Sequence, residues 1–187
     1  MKTSIKIIFT LFLVFSAGIS AEATNILLKT ENQQFEQGKA FLMSVFLDTQ
    51  GQKINATEGT IVFPADLLEL KEIRDANSVI NFWIEKPQIK SGNKVVFSGI
   101  TPGGYQGEDG LLFSIVFIPR RTGNGLVDLI QASALLNDGL GTFTKPSISN
   151  LEFSVLHNSS TTEEIVAEVQ DKESPEFFVP EIASDPG

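Results

Sequence analysis

Apolar side chains recur at every second position through most of the stretch from Thr24 to Leu156, a period that suits strands and not helices. Phe41, Met43, Val45 and Leu47 alternate with Leu42, Ser44, Phe46 and Asp48. Ile61 and Phe63 share one face of the run Thr57 to Phe63, which stops at Pro64 because proline has no N–H to donate to a ladder. Leu68 and Leu70 alternate with Glu69 and Lys71, Val95 and Phe97 face together, and Leu151, Phe153 and Val155 close the pattern. Ile80, Phe82 and Ile84 alternate with Asn81, Trp83 and Glu85, which predicts a strand with Trp83 on the opposite face from Phe82 and Ile84. Leu111 to Ile118 is almost unbroken apolar sequence, the mark of a central strand buried on both faces. Gly125 to Leu136 fits strand or helix on pattern alone; the strands around it favour strand. With Ile26 and Leu28 as a first strand, nine short strands result, separated by Gly, Pro, Asn and Asp turns. Ser98 to Gly110, with five glycines, reads as a long loop. The expectation is an all-β, nine-stranded two-sheet jelly-roll sandwich whose stacked inner faces hold most of the phenylalanines.

Both ends differ from this middle. Lys2 and Lys6, the apolar run Ile7 to Phe15, and Ala21-Glu22-Ala23 as a cleavage signature make residues 1–23 an expected secretory signal peptide, with an uncleaved anchor as the alternative. Residues 157–187 carry eight acidic residues against one lysine, with Ser, Thr and Pro, and read as an acidic flexible linker or tail. The domain itself is expected over residues 24–156. Its abrupt acidic continuation suggests attachment to a cell surface through a further C-terminal region.

The composition excludes several kinds of chemistry. There is no cysteine, so disulfides and thiolate metal sites are absent, and a single histidine, His157, argues against a His-based triad or a multi-histidine metal site. The net charge of −9 argues against nucleic acid, whose binding needs Lys and Arg to neutralise phosphates. Glu108-Asp109 and Glu69 with Glu72 are the carboxylate pairs, and no cleft is marked around either; the chain reads as a non-enzyme.

Four residues are candidate contacts. Trp83 is the single tryptophan, a platform for a sugar ring or an anchor for a protein if its face is exposed, and core packing under a loop if it is not. Tyr105, on the glycine-rich stretch, either meets a ligand or covers the core edge. Asn137 and Asp138, in Asn137-Asp138-Gly139-Leu140-Gly141-Thr142, offer oxygens on a tight turn; calcium is one reading and an ordinary turn the favoured one. No other cofactor is expected. Asn55-Ala56-Thr57 and Asn158-Ser159-Ser160 match a short glycosylation pattern that is common by chance.

Four segments in order resemble cohesin-type domains of exported proteins from small-genome bacteria: Asn55-Ala56-Thr57-Glu58-Gly59-Thr60-Ile61-Val62-Phe63-Pro64, Phe82-Trp83-Ile84-Glu85-Lys86-Pro87, Val96-Phe97-Ser98-Gly99-Ile100-Thr101-Pro102-Gly103-Gly104, and Leu136-Asn137-Asp138-Gly139-Leu140-Gly141-Thr142. The resemblance implies a nine-stranded jelly roll related to carbohydrate-binding modules. It implies a secreted or cell-surface binding module whose partner is a dockerin-like protein module or a polysaccharide, with a link to polysaccharide catabolism. Docking in that family uses one flat sheet face, which here falls on Thr57–Phe63, Ile80–Glu85, Lys94–Ser98 and Gly125–Leu136. A structural stalk of a larger surface protein is the alternative, and a glycosidase a more distant one.

Overall fold

The computed structural model describes residues 23–158, and every regular element among them is a strand. The leader expected over 1–23 and the tail expected over 157–187 lie outside the described residues, apart from Ala23, His157 and Asn158.

Twelve strands follow in order: β1 (Asn25–Lys29), β2 (Gln34–Glu36), β3 (Phe41–Asp48), β4 (Ile54–Val62), β5 (Leu68–Arg74), β6 (Phe82–Ser91), β7 (Lys94–Tyr105), β8 (Gly110–Pro119), β9 (Gly123–Leu136), β10 (Phe143–Thr144), β11 (Ser147–Ser149) and β12 (Leu151–Leu156). All nine expected strands are present. The three additions, β2, β10 and β11, are two or three residues long, too short to show a period. One sheet runs β11-β1-β3-β8-β5 and the other β2-β12-β9-β4-β7-β6, with β10 added to β9. Together they form a two-sheet sandwich.

The core lies between the sheets and follows the period-two pattern. Met43, Val45 and Leu47 of β3 share one buried cluster with Ile61, Phe63, Val95, Phe97, Val127 and Leu129 of the other sheet and its edges. Phe113 is fully buried, with its ring centroid 5.0 Å from Phe97 and 6.3 Å from Trp83, both edge-on. Phe117 lies 5.1 Å from Phe63 and 5.7 Å from Phe41, which stacks on Phe35 at 3.6 Å. β8 is central, between β3 and β5, as its apolar run predicts, though its outward residues Leu111, Val116 and Ile118 are half-buried.

The structure corrects two readings. Ser98 to Gly110 is not one long loop. β7 continues to Tyr105, and its register against β4 passes from Ala56↔Ile100 to Ile54↔Tyr105, so residues 101–104 form a bulge within the strand. Gly103 and Gly104 make that bulge at φ values of 84° and 79°, where a side chain would be strained. The second correction concerns Ile80 alone, which does not share a face with Phe82 and Ile84; Trp83 does lie opposite those two. Phe82 and Ile84 are 62% and 64% exposed, whereas Trp83 packs on the core. Ile80 is buried but precedes the strand, so the inward positions run Ile80 then Trp83, and the phase slips at Asn81. Gly99 holds this arrangement: a Cβ there would overlap Ile80 and lie 2.9 Å from the Trp83 ring.

Candidate functional site

The strands assigned to a docking face lie side by side, in the order β9-β4-β7-β6. On their outward face, exact register partners form an apolar row. Phe143 of β10 pairs with Leu135, Leu135 with Ala56, Ala56 with Ile100, and Ile100 with Phe82. Five residues on five neighbouring strands thus cross the sheet at about 4.8 Å per step, placing the two phenylalanines roughly 19 Å apart. Below it runs a polar row, Ser133, Glu58 and Ser98, again in register. A third row, Ile130, Thr60, Val96 and Gln88, mixes the two kinds.

Between the first two rows is a shallow depression of about 180 Å³, lined by Ala56, Thr57, Glu58, Ile84, Ser98, Ser133, Leu135 and Phe143. The Ser133 hydroxyl donates to the Glu58 carboxylate at 2.8 Å, which fixes that charge between apolar walls. The hydroxyl of Thr57, in the wall, is buried and has no hydrogen-bond partner among the described residues. Ile84 reaches this face because β6 bulges there: Trp83 pairs with Gly99 and Glu85 with Ser98, leaving Ile84 as the extra residue. Sequence reasoning placed the strands of this face but singled out none of its apolar residues. Phe143, an isolated ring beside a glycine turn, is the one visible signal.

The four candidate residues lie elsewhere. Trp83 is half-buried against Phe113, and its ring N–H bonds to the Asp75 carboxylate. A bond from Lys86 is the main influence holding Asp75 below the usual carboxylate range. Of the two readings for Trp83, packing is the arrangement seen. Tyr105 is also half-buried, with its ring over the backbone of Gly107 and Gly110, where a Cβ at either glycine would overlap it. Burial raises its pKa, and the Asp109 and Asp48 charges add to that. Close by, burial alone would raise Asp48. Bonds from the Gln50 backbone, Asn25 and the Gln50 side chain, with the Lys29 charge, outweigh it and hold Asp48 below its ordinary value.

The Asn137 amide donates to the Gly103 carbonyl at 2.9 Å, tying the β9–β10 turn to the β7 bulge. Asp138 accepts the hydroxyl of Thr142 and the backbone N–H groups of Leu140 and Gly141 at 2.9 Å and Thr142 at 3.3 Å. The Thr142 hydroxyl bond is the largest of the influences that lower its pKa to about 2. These oxygens serve the turn itself. Both carboxylate oxygens of Asp138 are engaged by the turn, and among the described residues no group of three or more His, Asp or Glu side chains is placed together. Above the unfolded aspartate pKa, near 3.9, Asp138 contributes its full stabilisation, and this is lost as pH falls through about 2. In an Asp138→Ala variant the amides of Leu140, Gly141 and Thr142 are expected to exchange roughly tenfold faster at neutral pH, read by NMR hydrogen exchange.

Three of the four carboxylates in the sequence pairs lie in surface ion pairs. Asp109 pairs with Lys29 at 2.8 Å, Glu72 with Arg74 at 2.7 Å and Glu69 with Arg120 at 3.2 Å, all on the surface, and Glu108 is exposed.

The strand order and the two stacked sheets define a jelly-roll sandwich with a broad mixed polar and apolar face on one sheet. The fold is similar to that of solved cohesin structures. The chain superposes on a cohesin module from a family 33 glycoside hydrolase of Clostridium perfringens with a TM-score of 0.62 at 19% identity, covering 73% of this chain and 98% of that one. A non-cellulosomal cohesin from the archaeon Archaeoglobus fulgidus gives 0.61 at 17% identity, covering 76% and 98%. The sixth cohesin of Acetivibrio cellulolyticus scaffoldin B, in complex with a Cel5 dockerin, gives 0.58 at 15% identity, covering 73% and 100%. No protein-family model matches the chain, and a search of curated proteins finds no relative.

Proposed function

We propose that this chain is an exported, non-catalytic docking module that receives a dockerin-type protein module on the outer face of β9-β4-β7-β6. The observation that carries this reading is the register-exact apolar row from Phe143 to Phe82, with a fixed carboxylate beside it. An apolar centre bordered by polar groups is the anatomy of a protein interface. A polysaccharide fits this face less well: neither Trp83 nor Tyr105 belongs to it, and its two phenylalanines stand at opposite ends of the row. The solved complexes of cohesins with dockerins support the choice of partner class. A role in polysaccharide breakdown would then come through what the partner carries, at or outside the cell surface.

Calorimetry of the purified domain against a panel of calcium-loaded dockerins tests the proposal. At least one is expected to bind with a dissociation constant in the micromolar range or tighter, about −8 kcal/mol. Silence across the panel would remove the dockerin assignment.

A further inference from the structure

We infer a second binding site at the other end of the same sheet, a groove for a neutral oligosaccharide across β9, β12 and β2. The groove is an open concavity of about 620 Å³. Asn124 of β9 stands directly opposite Ser154 of β12, and Ser154 directly opposite Gln34 of β2. The result is a ladder of amide, hydroxyl and amide at about 4.8 Å per step. Leu126 and Glu152, also register partners, form the adjoining row, and Gln33 closes the rim.

Two features separate this groove from an ordinary solvated surface. First, the five polar side chains, Gln33, Gln34, Asn124, Glu152 and Ser154, make no hydrogen bond or ion pair with any other described residue. Elsewhere such side chains either satisfy one another, as Ser44 does with Ser114 and Glu58 with Ser133, or stand singly, as Lys71 and Asn77 do; here five share one concavity. Second, their chemistry is matched to one ligand class. An amide presents a donor and an acceptor side by side, a serine hydroxyl does both, and a carboxylate accepts; adjacent sugar hydroxyls offer the complement to each. Leu126, 45% exposed, gives an apolar surface for the C–H face of a sugar ring. No lysine or arginine lines the groove, and Glu152 would repel an anion, so phosphate-bearing or uronic ligands gain nothing there. This site is independent of the docking face and does not rest on the dockerin reading.

The test is an NMR titration of the labelled domain with cellohexaose, xylohexaose, mannohexaose and chitohexaose. At least one is expected to shift the amides of residues 33–34, 124–126 and 152–154 saturably, with a dissociation constant around 1 mM or tighter. The double substitution Asn124→Ala with Glu152→Ala should weaken that binding by at least about tenfold and leave the thermal midpoint unchanged, since both side chains are exposed. Glu152→Gln, which keeps an acceptor, should retain binding. The inference is overturned if none of the four probes shifts these amides, if the shifts map elsewhere, or if the double variant binds as well as the parent.

Discussion

Phe113→Ala is expected to cost about 3–5 kcal/mol of folding stability, measured by urea unfolding. The ring is fully buried at the centre of β8 and is met edge-on by Phe97 and Trp83 from the opposite sheet. Its removal forfeits the apolar transfer energy and leaves a cavity that three surrounding strands cannot close, because their hydrogen-bond registers with their neighbours are fixed. The variant also tests the position of Trp83. Tryptophan fluorescence should shift to longer wavelength, since the ring loses the apolar edge that screens it. An unchanged midpoint with an unchanged emission maximum would mean that Trp83 does not rest on Phe113.

The sandwich is legible in the sequence because burial on one face imposes a period of two, and β3 and β12 state that period plainly. What was not legible depends on breaks in the period. Residues 101–104 bulge out of β7 without ending it, and glycine content alone does not distinguish a bulge from a loop. The misplacement of Ile80 beside Phe82 and Ile84 has a related cause. Ile80 and Trp83 are both inward but three residues apart, and Phe82 between them is apolar yet faces outward; counting every second residue from Ile80 therefore assigns the wrong face. The candidate site suffered directly. An apolar residue kept exposed for a partner is indistinguishable by type from one kept for the core, so the alternation puts Trp83 opposite Phe82 and Ile84, as found, without saying which side is inward. Phe143, Leu135, Ala56, Ile100 and Phe82 are scattered over nearly ninety residues of sequence, and only strand order and register bring them into a line. By contrast, the Asn137–Thr142 segment was readable as a turn, since its aspartate bonds groups within four residues of itself.

Ile84→Asp is expected to abolish or weaken partner binding by at least about 30-fold, an effect of about 2 kcal/mol or more, typical of a central interface residue. Ile84 lies in the wall of the depression, beside Glu58, with two thirds of its surface open to water. An aspartate there would place a second carboxylate next to a fixed one and would have to be desolvated when a partner covers the face. Because the side chain is exposed in the free protein, folding stability should change by no more than about 0.5 kcal/mol. Phe143→Ala, at the far end of the row, should show a smaller loss with the same unaltered stability. Paired calorimetry and thermal melts on both variants separate a docking role from a structural one. If Ile84→Asp binds a dockerin as tightly as the parent, the apolar row is not the contact surface, even where the dockerin remains a partner.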